Sequence, residues 1–369
     1  MTLARISRRR LLQGSAATAL AATLPGHQAL AADTVIGFVY VGSRDDYGCN
    51  QAHAAGAAAL KKMAGIKVVE EEKVPETDAV EKTMESMINL DGATLLFPTS
   101  YGYFNPHVLK LAKKYPKVRF EHAGGLWTEK DPGNVGSYFG YIDEAQYVAG
   151  IVAGHSTKSG KLGFVAAKPI PQLLRNVNAF MLGAKLANPN ATLQVIFTGD
   201  WSMPVKEAEA TNSLIDAGVD VITCHVDGPK TVMENAARRG AMVSSYHVSA
   251  AALAPQAHLT GAEWNWEAIY PRFATMFTKS ESIPNFYRGG LKEGVVKVAP
   301  YGPKVSEAAR KQADDIKAKL TAGSYVIFKG PIKDNKGNTV IGAGTERGQT
   351  DPELEKMNYL VEGVIGATS

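Results

Sequence analysis

Six short stretches of this chain combine aromatic rings with small hydrogen-bonding groups. They are Ser43-Arg44-Asp45-Asp46-Tyr47-Gly48-Cys49-Asn50-Gln51, Thr99-Ser100-Tyr101-Gly102-Tyr103-Phe104, Lys168-Pro169-Ile170-Pro171, Gly199-Asp200-Trp201, His225-Val226-Asp227-Gly228 and Ser245-Tyr246-His247. Rings offer faces for stacking, while amides, hydroxyls and carboxylates meet ligand edges, so the mixture suits a flat, polar-edged small molecule. Catalysis asks for more. Cys224-His225 could be drawn as a nucleophile with its base, and Glu121-His122 and Asp45-Asp46 as acid/base pairs. Neighbours on a strand point to opposite faces, however, which keeps Cys224 and His225 apart. The chain has no GxSxG, GxGxxG, CxxC or HExxH motif, and no His and carboxylate cluster at metal-ligand spacing. The expectation is a binding protein with no metal or other cofactor, and not an enzyme.

The stretches share a position relative to the elements around them. Residues 34–41 form an almost wholly apolar run, as a strand buried on both faces of a parallel sheet requires, and an Ala-rich helix is predicted over 51–63. Strand and helix then alternate: strands at 66–70, 93–97, 118–122 and 134–141, helices at 78–90, 106–115 and 143–152, the last with Asp143 as candidate N-cap. A second set follows, with strands at 162–166, 192–197, 219–224 and 241–245 and helices at 172–186, 205–217 and 231–239. A helix over 306–320 and a hairpin-like segment around Lys336-Gly337 close the chain. Two doubly wound α/β lobes follow from the repetition. In such sheets ligands bind beyond the carboxyl ends of the strands, where the six stretches fall.

The N-terminus has a separate logic. Ser7-Arg8-Arg9-Arg10-Leu11-Leu12 precedes an apolar run over 11–24, and Ala29-Leu30-Ala31 supplies a small-x-small cleavage pattern. Together they read as a twin-arginine signal peptide over 1–31; the run is too short for a bilayer of ~30 Å. Residues 1–31 carry Arg5, Arg8, Arg9 and Arg10 and no acid, so the excess of 40 Lys and Arg over 36 Asp and Glu disappears from the rest. With it goes the case for nucleic acid or an anionic membrane as partner. The two cysteines, Cys49 and Cys224, read as separate half-buried thiols, with a disulfide as the alternative.

Asn50-Gln51-Ala52-His53, Phe97-Pro98-Thr99-Ser100-Tyr101-Gly102-Tyr103, Phe120-Glu121-His122-Ala123, Tyr147-Val148-Ala149-Gly150, Pro169-Ile170-Pro171, Asn178-Ala179-Phe180 and Lys292-Glu293-Gly294 occur in that order from about residue 35 to 363. This ordered set resembles the basic membrane protein family of substrate-binding proteins, which includes bacterial purine nucleoside receptors. The resemblance implies a type I periplasmic binding protein, two Rossmann-like lobes joined by a multi-strand hinge, working as the monomeric receptor of an ABC importer. Expected bounds are 32–158 with part of about 262–322 for the N-terminal lobe, and 159–261 with part of about 323–369 for the C-terminal lobe. It implies a purine nucleobase or nucleoside closed into the interlobe cleft, and an inner-membrane ABC permease as partner.

Carried over by motif, the family's base-stacking ring falls on Trp201, whose plainer role would be to cover a core edge. A large aromatic usual just before Asn50 is Cys49 here, so that either Tyr47 supplies the face or the ligand differs. His225 and Asp227 match a cleft-lining segment, although Asp227 could equally cap the helix expected at 231. An acid common near Ser249 is missing. Ser100, Tyr101 and Gly102 fit a loop that approaches the ligand, Tyr246 ends a strand there, and Trp264 stands near the hinge. Gly289 and Gly290 match a glycine pair suited to close packing or hinge motion, and Arg175 faces either cleft or solvent. Binding of another small polar ligand, or signalling to a membrane receptor, remain alternatives.

Overall fold

A computed structural model describes residues 33–368, so the signal peptide expected over 1–31 lies outside the described residues. The first run of elements is β1 (Thr34–Val39), α1 (Cys49–Leu60), β2 (Ile66–Glu71), α2 (Asp78–Asn89), β3 (Leu95–Pro98), α3 (Leu109–Lys114), β4 (Arg119–Ala123), β5 (Val135–Gly140) and α4 (Asp143–Ser156). The second is β6 (Lys161–Ala166), α5 (Pro171–Ala187), β7 (Thr192–Phe197), α6 (Pro204–Asp216), β8 (Val221–His225), α7 (Lys230–Arg238), β9 (Met242–His247) and β10 (His258–Trp264). After these come α8 (Trp266–Thr278), β11 (Phe286–Gly289), β12 (Val296–Val298), α9 (Glu307–Thr321), and the short strands β13 (Phe328–Lys329), β14 (Ile332–Lys333), β15 (Thr339–Ile341), β16 (Glu346–Arg347) and β17 (Val364–Ile365).

Two sheets organise them. The first runs β11-β5-β4-β3-β1-β2, and the second β12-β10-β9-β8-β6-β7-β17. Every pairing within them is parallel except β10 with β12. Helices covering both faces explain why β3 and β8 are buried at every position, β3 with apolar residues throughout. The chain passes between the sheets three times, after β5, after β10 and between β11 and β12. In each sheet the strand order reverses beside the first strand of its set, between β1 and β3 in one and between β6 and β8 in the other. Connections leave opposite faces there, which opens a crevice at the strand ends.

Local chemistry sets the helix starts. Thr77 Oγ1 accepts from Ala79 N–H ahead of α2, Ser306 Oγ accepts from Ala309 N–H ahead of α9, and Pro171 opens α5, where its missing N–H costs nothing. Asp143, expected as a cap, instead occupies the first turn of α4 behind Ile142. The helix it opens packs against α5 and β10 of the second set and against α9. Glycines make the α4–α5 contact close: a Cβ at Gly150 would lie 2.1 Å from Phe180 O, and one at Gly183 would lie 2.0 Å from Tyr147 O. A continuous core including Phe38, Phe97, Tyr138, Phe164, Phe180, Trp266 and Tyr270 runs through both layers. Each such side chain contributes about 1.5–3 kcal/mol on burial.

Candidate functional site

The loops leaving the two switch points meet. On the first sheet, the turn between β1 and α1 is organised by Asp46, whose carboxylate accepts the N–H groups of Gly48, Asn50 and Gln51 at 2.8, 3.1 and 3.0 Å and Asn50 Nδ2 at 2.7 Å. A carboxylate suits the positive end of a helix, and it caps α1 in place of Gly48, which has no side chain to do so. The turn carries Tyr47 at φ 57° and presents Cys49 to the cleft. After β3, Thr99 Oγ1 donates to Val39 O at 2.9 Å, while Ser100 Oγ and Gly102 N–H both donate to Glu76 Oε1. Buried His122 donates through Nε2 to Ser100 O at 2.7 Å and accepts from Gly125 N–H at Nδ1, which braces this loop from behind.

The second sheet supplies the rings. Asp200 holds Trp201 through a 2.8 Å bond to its N–H and pairs with Lys168, whose Nζ lies 5.5 Å from the Trp201 ring. Trp201 O in turn accepts from Asp227 N–H at 2.8 Å, tying the loops after β7 and β8 together. At the end of β9, Tyr246 and His247 lie with ring centroids 4.1 Å apart, and His247 adopts φ 69°, a left-handed conformation rare outside glycine. Trp264, at the end of β10, donates Nε1–H to His247 Nδ1 at 2.7 Å and stacks on Trp266 at 4.9 Å and 16°.

The two walls touch at the start of α1. Cys49 N–H donates to Asp227 O at 2.9 Å, and a Cβ at Gly48 would fall 1.8 Å from that same oxygen. Behind this contact lies a cavity lined by residues from the strand-end loops of both sheets. Eight of the residues singled out by sequence line it: Cys49, Ser100, Tyr101, Trp201, His225, Asp227, Tyr246 and Trp264. Four do not. Tyr47 turns its ring toward Lys230 at 5.0 Å, Asn50 is buried against Asp46, Gly102 sits on Glu76, and Gly289 lets β11 pack against Val295 and Glu293. Asp227 is no helix cap, since α7 starts at Lys230 behind Pro229. Arg175 faces neither the main cleft nor solvent. It is 4% exposed and pairs with Asp143 and Glu355 at 3.3 Å beside a smaller polar cavity that shares Gly124, Phe139 and Gln172 with the first.

Sequence reasoning passed over His53, Phe139, Gln172 and His247 as lining residues. His53 follows Cys49 by four residues on α1 and so shares its face, a signal that was available. His247 follows Tyr246 directly, and strict alternation would have put it on the other face; the left-handed backbone turns it in. Gln172 sits in the first turn of α5, and Phe139 inside β5 gives no signal.

The cavity is electrically neutral. None of its lining residues is Lys or Arg. Burial holds His53 and His247 down to about 3 and His225 well below its ordinary value, so all three are uncharged at neutral pH. Burial, reinforced by Asp46 and Glu76, pushes Asp227 up to about 8, and burial keeps the Cys49 thiol protonated. Cys49, Asp227 and His247 place one ligand atom each within 4.8 Å of one another. They make a poor metal site, because His247 accepts at Nδ1 from Trp264 and donates at Nε2 to Val226 O, leaving no free nitrogen. Both cysteines are separate thiols, as the sequence reading preferred, but only Cys49 is half-buried and Cys224 is fully buried.

Comparison with known proteins gives a consistent picture. Residues 33–336 match the family model described as ABC transporter substrate-binding protein PnrA-like, Bmp. The chain is 34% identical to a purine-binding protein of Brucella abortus over 89% of its own length and 92% of the relative. It is 30% identical to a putative ABC transporter glucose-binding protein of Haloferax volcanii, over 89% of this chain and 80% of that one. Among solved structures, an ABC transporter solute-binding protein of Conexibacter woesei superposes with TM-score 0.66 at 22% identity, covering 79% of this chain and 97% of the other. One from Aeropyrum pernix superposes with TM-score 0.67 at 20% identity, over 82% and 93%.

Proposed function

The chain belongs to the Bmp family of PnrA-like ABC transporter substrate-binding proteins, and from that premise we propose that it is the receptor for a purine base or nucleoside. The observation that carries this reading is the uncharged, ring-walled cavity between the two strand-end crevices. A purine offers two π-faces and an edge of alternating donors and acceptors. Trp201, Tyr246, His247 and Trp264 offer faces, and Ser100, Gln172, Asp227 and Tyr246 offer polar atoms around them. Base-on-ring stacking is worth about 1–3 kcal/mol per base. An amino acid would bring charge into a main cleft whose lining holds no Lys or Arg to meet it. The adjoining polar cavity by Arg175 and Asn176 supplies hydrogen-bonding groups on the side where the sugar of a nucleoside would lie.

Binding in this reading is closure. The lobes hinge at the three crossovers, the Cys49–Asp227 contact forms, water leaves, and the closed surface is offered to a membrane permease. Export through the twin-arginine leader would place a monomeric receptor in the periplasm; no helix among the described residues is long and apolar enough to cross a membrane. Family and fold are those of solute-binding proteins, and the neutral cleft acts on its ligand by burying it. Mass spectrometry of the small molecule that co-purifies with the natively exported protein tests the proposal. A purine or purine nucleoside is expected, confirmed by calorimetry with the pure compound. Recovery of a hexose with no purine affinity would replace it with the sugar specificity named for the haloarchaeal relative.

A further inference from the structure

One hydroxyl in the cleft wall has no protein acceptor left for its proton. Tyr246 is fully buried and lines the cavity, and its Oη has two partners, Asn176 Nδ2 at 3.1 Å and His225 Nε2 at 3.2 Å. The same Asn176 nitrogen reaches His225 Nδ1 at 2.8 Å. An amide nitrogen only donates, so Asn176 gives one proton to Nδ1 and the other to Oη. A neutral imidazole that accepts at Nδ1 carries its own proton on Nε2, and Nε2–H therefore also donates to Oη. With two hydrogen bonds accepted, the Tyr246 proton must point away from both partners. Among the described residues no other acceptor lies within hydrogen-bonding reach of Oη.

We propose that Tyr246 is a specificity-determining donor, its O–H aimed into the cleft at an acceptor of the ligand, a carbonyl oxygen or an unprotonated ring nitrogen. The proposal deepens the purine reading and rests on it. The facing wall has the opposite polarity. Thr99 Oγ1 and Ser100 Oγ give their protons to Val39 O and Glu76, so toward the cleft they offer only lone pairs. A ring with an acceptor on one edge and an N–H on another matches both walls at once, whereas a sugar hydroxyl rotates to serve either and needs no such division. The neighbouring rings cannot take over the donor's role. Trp264 Nε1–H is engaged by His247 Nδ1, and His247 Nε2–H by Val226 O.

Two measurements test the assignment. In ligand-free protein carrying ¹⁵N-histidine, long-range ¹H–¹⁵N correlation should show His225 protonated at Nε2; protonation at Nδ1 would reverse the network and overturn the proposal. Calorimetry on wild type and Tyr246→Phe then uses hypoxanthine, adenine, purine lacking the 6-substituent, and analogues with single ring nitrogens replaced by C–H. Tyr246→Phe should weaken the natural purines about tenfold, the loss of one hydrogen bond. At least one analogue, lacking the atom that Tyr246 reads, should bind both proteins equally. No loss for any compound, or the same loss for all of them, overturns the donor role. If wild type binds neither these compounds nor the corresponding nucleosides, the purine reading fails, and the His225 tautomer still decides the donor assignment.

Discussion

Replacing Gly48 by alanine should disable binding without unfolding the protein. The added Cβ would lie 1.8 Å from Asp227 O and 2.5 Å from Pro229 Cδ, and neither is the movable end of a flexible side chain. Real carbon–oxygen contacts need at least about 3 Å, so the strand-end loops must separate by roughly an ångström or more. That separation breaks the 2.9 Å bond from Cys49 N–H to Asp227 O, worth about 1 kcal/mol. Residual crowding in the partly closed state adds about 1–3 kcal/mol by analogy with overpacked cores. The sum, about 2–4 kcal/mol, corresponds to a loss of affinity of about 30- to 1,000-fold. Because the clash exists only where the lobes meet, the melting temperature without ligand should stay close to that of wild type. Calorimetry measures the affinity, and small-angle scattering with saturating ligand measures whether the molecule contracts. A Gly48→Ala protein that binds and contracts like wild type would show that this contact plays no part in closure.

Other expectations follow from the same geometry. Trp201→Ala should weaken binding at least about tenfold by removing one stacking face, and unchanged calorimetric affinity would take Trp201 out of the site. Asp227 is held near 8 in the closed cleft and should lie near the ordinary value of about 4 when the lobes are open to water. Its raised closed-state value means that closure takes up a proton across that window. Affinity should fall as pH rises from 5 toward 8, by at most about tenfold per unit, and level off above 8. Asp227→Asn should flatten that profile; a variant as pH-dependent as wild type assigns the effect elsewhere. Cys49 lines the cleft and Cys224 is fully buried, so saturating ligand should slow maleimide labelling of Cys49 severalfold while Cys224 stays unlabelled until denaturant is added. Equal labelling of Cys49 with and without ligand, read by mass spectrometry, would place it outside the bound surface.

Alternation and composition carried the fold. The strand over 192–197 and the helix starting at 78 coincide with β7 and α2, because an alternating strand pattern and a capped amphipathic stretch each depend on residues close together in sequence. Reading stopped short where distant contacts decide. Nothing local says that α4 leaves the first sheet to pack on α5, since the glycines that permit it act only when the two helices meet. Asn50 and Gly102 lie in the right loops, yet the partners that turn them away, Asp46 and Glu76, are set by the turn and by another loop.

The sequence by itself determined the family, the doubly wound architecture and the loops that carry the ligand, since strand ends, helix starts and ordered motifs are properties of contiguous residues. Only the tertiary structure decided which side chains share the cavity, that Gly48 meets Asp227, and that the cleft is neutral. The reason is physical. Burial sets whether a histidine or an aspartate carries charge, and burial is made by residues hundreds of positions apart. His53, His225, His247 and Asp227 are ordinary titratable groups in the chain and uncharged polar groups in the fold.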